Sequence, residues 1–157
     1  MDARREEYKI NLPKLRSHSV PYEPNDDERN YLNSIYSGKC QICGKTIDLW
    51  DGEHYFEAIN LLDISNSELR STYGIGWTSL SLCPNCAVKY KYTGELPEDF
   101  SDKIREKPML TEEEMEDGVD VSINLRGIPT DIHYVADHFK NLQTALKKYL
   151  EEEEEQR

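Results

Sequence analysis

Hydrophobic and polar positions alternate most regularly towards the end of the chain. Val119, Val121, Ile123 and Leu125 fall on one face of an extended segment, and Asp120, Ser122 and Asn124 on the other. A period of two predicts a half-buried strand. Arg126-Gly127-Ile128-Pro129 reads as a turn, and residues 130–135 as the return strand of a β-hairpin. The period then changes. From about Ala136 into the tail, Phe139, Leu142, Leu146, Tyr149 and Leu150 recur every three or four residues. That is the apolar stripe of a helix, and the hairpin is its nearest partner.

The earlier chain is less regular. Asn25-Asp26-Asp27-Glu28 has the cap and the acidic first turn of a helix. Tyr31, Leu32, Ile35 and Tyr36 give that helix an apolar face, and Ser37-Gly38 ends it. Residues 45–50 read as a strand, Asp51-Gly52 as a hairpin turn and residues 53–59 as the return strand. Residues 60–76 read as a loop with a helical turn near 67–70, and 77–82 lead into a helix over 84–92 stopped by Gly94. The remainder to Gly118 is polar, with a short helix expected at 99–106. These elements predict an α+β fold. It divides into an arm (1–24, with Pro13, Pro21 and Pro24), a central module (25–96), an acidic linker (97–118), the hairpin and helix (119–150) and an acidic tail (151–157).

Composition narrows the function classes. The 157 residues carry a formal charge of −12, and residues 98–118 hold nine acids against three bases. Such a chain repels a phosphate backbone at long range, which disfavours nucleic acid as a partner. No stretch approaches the roughly 20 apolar residues of a membrane span. No apolar run follows Arg4 and Arg5, so no secretory leader is expected and a cytoplasmic, reducing location follows.

All four cysteines lie in two C-x-x-C pairs, Cys40-Gln41-Ile42-Cys43 and Cys83-Pro84-Asn85-Cys86. Each pair can supply two soft ligands from one tight bend, and four thiolates suit one tetrahedral zinc ion. Two disulfides, or four unrelated thiols, are the alternatives. Number, spacing and compartment favour one structural Zn2+ held by Cys40, Cys43, Cys83 and Cys86. Its loss is expected to unfold residues 36–94 and to leave part of the C-terminal hairpin and helix folded.

The stretch Tyr36-x-Gly38-Lys39-Cys40-x-x-Cys43, then Tyr55-Phe56-Glu57-Ala58, then Ser81-Leu82-Cys83-Pro84-x-Cys86, resembles the HNH (ββα-metal, treble-clef) nuclease family. The resemblance implies a zinc-stabilised treble-clef core. It would place a general-base histidine at Asn60, an asparagine at Thr78 and a metal-ligand histidine at Ala87. All three positions depart from the pattern. An amide cannot take a proton from water, and a methyl group cannot bind a cation. Across residues 29–150, Ser122-Ile123-Asn124-Leu125-Arg126-Gly127 and the following helix add a similarity to the C-terminal modules of bacterial sacsin-like, GHKL-type ATPases. That similarity implies an accessory module of a defence or DNA-transaction system. No phosphate-binding glycine loop occurs in this chain.

Three functions are weighed on these residues. The first is a non-catalytic zinc module that binds a protein, such as an ATPase of the same system. Its candidate surface is Trp50, Trp77, Lys89, Lys91 and Tyr92, although either tryptophan could equally pack on the knuckles. The second is an HNH-type endonuclease with relocated groups drawn from Glu53, His54, Glu57 and Asp63. His133 and His138, five residues apart across a strand–helix boundary, are poorly spaced for a shared metal. The third is a nucleic-acid-binding zinc finger without catalysis, in which Lys89-Tyr90-Lys91-Tyr92 interleaves bases with stacking rings.

Overall fold

The computed structural model describes residues 26–61 and 77–155, with side chains to residue 148. The expected arm, the loop turn at 67–70 and Asp63 lie outside the described residues. The first helix, α1 (Asp26–Tyr36), carries Asp26, Asp27 and Glu28 in its first turn, where acids face the positive end of the helix dipole. Leu32 and Tyr36 are buried, with Tyr31 and Ile35 packed partly beside them. Ser37 and Gly38 both take positive φ and turn the chain into the first cysteine pair. Gly38 has no substitute there, because an added Cβ would lie 2.5 Å from that of His54.

The central hairpin differs from its prediction. Only β1 (Ile47–Asp48) and β2 (His54–Tyr55) pair, around a turn in which Gly52 N donates to Leu49 O at 3.0 Å and Gly52 has φ 88. The expected return strand breaks at Phe56. Its second half, β3 (Glu57–Asn60), leaves β1 and pairs antiparallel with β4 (Ser79–Leu82). Burial explains the change of partner. All four β4 residues are buried, whereas both β1 residues are exposed. The lead-in to the second cysteine pair is therefore an interior strand.

Helix α2 (Pro84–Thr93) starts with Pro84 at its first position and Cys83 as its cap. Gly94 does not stop it in a left-handed conformation. It is extended, φ −73 and ψ 139, and opens β5 (Gly94–Glu95), which pairs with β6 (Val119–Leu125). The segment read as a linker holds two helices. Phe100 and Ile104 of α3 (Phe100–Glu106) are core residues, and Gln143 Nε2 donates to the carbonyls of Ile104 and Lys107. Helix α4 (Glu112–Asp117) begins in a reciprocal capping box between Thr111 and Glu114.

The C-terminal hairpin forms as its alternation predicts. β6 pairs with β7 (Ile128–Tyr134) from Val119↔Tyr134 to Leu125↔Ile128. Its turn is only Arg126-Gly127, both at positive φ, the geometry that matches the twist of two paired strands. Helix α5 (Ala136–Glu155) buries Phe139, Leu142, Ala145 and Leu146. These side chains share one core cluster with Cys40, Cys83, Cys86, Ala87 and Tyr90.

Candidate metal centre

The two cysteine pairs meet. The four Sγ atoms lie within 4.8 Å of one another, and Cys43 Sγ is 3.7 Å from Cys83 Sγ. That distance is far beyond the roughly 2.05 Å of a disulfide, and all four thiols are free. It agrees with the edge of about 3.8 Å that a tetrahedron of sulfurs has when each lies about 2.3 Å from a central zinc. Each bend also aims backbone N–H groups at its first sulfur. Ile42 N and Cys43 N lie 3.4 and 3.5 Å from Cys40 Sγ, and Cys86 N lies 3.4 Å from Cys83 Sγ. Such donors stabilise thiolates.

The electrostatics fit a cation. Burial pushes Cys83 up, but the Cys86 amide and the neighbouring thiols outweigh it and hold the group below its ordinary value. Burial pushes Cys43 and Cys86 up, and the adjoining sulfurs add to both shifts. Four thiolates here need a positive charge among them, which a divalent ion supplies. The described residues contain no second converging group of three or more His, Cys, Asp or Glu.

Gln41, inside the first pair, is the residue that sequence reasoning missed. It is 3 % exposed. Its Oε1 accepts from Ser81 N at 2.8 Å, and its Nε2 donates to His133 O at 3.0 Å. Its backbone does the same again: Gln41 N donates to Ser81 O, and His133 N donates to Gln41 O, both at 2.8 Å. One glutamine thus joins the first knuckle to β4 and to β7. A polar residue between two ligands is no signal of such a role.

The other named residues scatter. Trp50 is wholly exposed at the β1–β2 tip, near exposed Ile47, Leu49 and Tyr55. Trp77 is half-buried against the main core. On α2, Lys89, Lys91 and Tyr92 face solvent, while Tyr90 is buried and donates to Leu61 O at 2.7 Å. His54 lies 3.3 Å from Asp48, and Glu57 lies 4.0 Å from Lys91. Glu53 is exposed beside the turn. Asn60 and Thr78 do meet, with Thr78 Oγ1 3.5 Å from Asn60 Oδ1, and Ala87 is fully buried. His133 pairs with Asp120 at 2.8 Å on the surface. His138 is buried among three tyrosine rings, with its Nδ1 2.6 Å from the Tyr36 hydroxyl. The two histidines serve separate structural contacts.

Comparison of the chain with protein-family models, with curated proteins and with solved structures returned no match. The site and the fold therefore carry the functional argument. They define an α+β protein with a four-cysteine cluster able to hold one metal ion. No helix among the described residues is long and apolar enough to cross a membrane.

Proposed function

We propose that this protein is a non-catalytic, zinc-stabilised interaction module. The carrying observation is the convergence of four thiols within 4.8 Å, with backbone donors aimed at the first sulfur of each pair. An ion bound there supplies a crosslink between the loop after α1 and the start of α2 and leaves no open coordination position for substrate. The exposed Trp50, with Ile47, Leu49 and Tyr55 around it, supports a surface for a protein partner. The resemblance of residues 29–150 suggests a bacterial defence or DNA-transaction system, with an ATPase of that system as partner.

Native mass spectrometry tests the reading. One zinc per chain is expected, with Cys83→Ser losing it, and cobalt(II) substitution is expected to give the spectrum of a tetrahedral thiolate site. A metal-free protein that is fully folded would overturn it. A nuclease reading draws on the contact between Asn60 and Thr78, which brings two of the family's catalytic positions together. Magnesium- or manganese-dependent nicking of plasmid DNA, lost in Cys83→Ala, would favour that reading. None is expected, because neither side chain is a base at neutral pH.

A further inference from the structure

The two edges of the three-stranded sheet are finished differently. On the β7 edge, Gln41 takes both outward backbone groups of His133. Pro129 on the same edge has no N–H to offer. Because the His133 amide points away from β6, its register partner Asp120 belongs to a non-hydrogen-bonded pair, and its own amide and carbonyl point to the opposite edge. The alternation continues through Ser122, Asn124 and Arg126. Asn124 pairs with Glu95 of β5, and Arg126 N donates to Thr93 O at 3.2 Å. β5 then ends, and no described residue bonds the backbone of Asp120 or Ser122 on that side.

A groove of about 450 Å³ lies along this open edge, between β6 and α3. Phe100, Ile104 and Phe139 lie behind it, almost wholly buried, and its accessible wall is polar: Glu106, Asp120 and Ser122 are exposed there, and Lys103 and Lys107 are already paired with Asp99 and Glu114. A strand edge with unpaired donors and acceptors beside an open groove is the arrangement that captures an extended peptide. The geometry points to this groove as the place where a basic, extended peptide of a partner protein adds a strand to β6. Its backbone pairs with Asp120 and Ser122, and its side chains lie along the groove beside Glu106 and Asp120.

Charge selects the occupant. Helix α4 holds five acids in six residues and ends at Asp117, two residues before the edge begins. With −12 on the chain as well, a peptide carrying a base at the Val119 end is attracted. A second copy pairing edge to edge would bring like charge against like.

This inference rests on the interaction-module reading and says where a partner binds. The test starts from a random heptapeptide display library selected on the metal-loaded full chain. Enriched peptides are synthesised with single backbone N-methyl groups, and their affinities are measured by fluorescence anisotropy. A basic residue at a fixed position is expected in the enriched peptides. N-methylation at alternate positions should weaken binding by about tenfold or more, and at the positions between by about threefold or less. The Asp120 and Ser122 amide resonances should move on titration. Ser122→Pro should abolish binding, and the N-methyl series needs no variant should that one misfold. No enriched peptide, or equal tolerance of N-methylation everywhere, would overturn the proposal. Resonance changes centred on Trp50 would remove the groove and leave the interaction module standing. Self-association lost in Ser122→Pro would assign the edge to a second copy and overturn the peptide.

Discussion

Replacing Gln41 by methionine removes two hydrogen bonds at nearly constant volume. The variant leaves Ser81 N–H, in a residue with no exposure, without its side-chain acceptor. A buried donor left unsatisfied costs about 1–3 kcal/mol. The His133 carbonyl also loses a donor, but His133 lies at the surface where water can replace it, so that loss is about 0.5–1.5 kcal/mol. Together about 2–4 kcal/mol is expected, against total stabilities of about 5–15 kcal/mol for single domains. For a chain of this length that lowers the melting temperature by about 5–15 °C. Gln41→Glu should be worse, since its carboxylate cannot donate to His133 and would be a charge at a buried site. Thermal unfolding followed by circular dichroism, with metal content measured in parallel, checks both variants. A Gln41→Met protein melting within about 2 °C of the parent would refute the reasoning. So would a variant that has lost its metal, because the effect would then belong to the site and not to the clamp.

Further outcomes follow from the same contacts. A strong chelator is expected to unfold the cysteine region and the C-terminal unit in one transition, because Cys40, Cys83 and Cys86 share a core with β6, β7 and α5; hydrogen exchange that keeps α5 protected after metal removal would contradict this. Leu142→Ala, at a site with no exposure, should cost about 2–5 kcal/mol in urea unfolding. Arg126→Asn should stabilise by about 0.5–1 kcal/mol in the same assay, since asparagine tolerates the φ of 52 that arginine holds there. The Lys107 ammonium, and then the Thr111 amide, hold the Glu114 carboxyl below its ordinary 4.5. A lowered carboxylate stabilises above its unfolded pKa, and that contribution is lost as pH falls through the folded value. Glu114→Gln should therefore flatten the acid limb of α4 exchange rates below about pH 4.5.

Much of the fold was legible in the chain. The alternation from Val119 to Leu125 specified a strand and its buried face, because a one-residue slip would bury Asp120 and Ser122. The stripe from Phe139 to Leu146 specified the last helix, and the cysteine spacing specified which four sulfurs would converge. Helix α4 was missed: its segment read as linker, although Thr111 and Glu114 stand at capping-box spacing, a signal masked by the acids around it. Tertiary structure decided which strand pairs with which. Residues 53–59 read as one return strand, yet their two halves serve different sheets. β4, Ser79-Leu80-Ser81-Leu82, alternates polar and apolar residues as a half-exposed strand does, yet all four are enclosed. Gln41 and His138 likewise looked ordinary until folding brought β7 to one and Tyr36 to the other. Periodicity records the polarity of an element's faces, not what covers them. The identity of the neighbour across a buried face, and of the partner for a buried polar atom, depends on residues distant in the chain and exists only once they have packed.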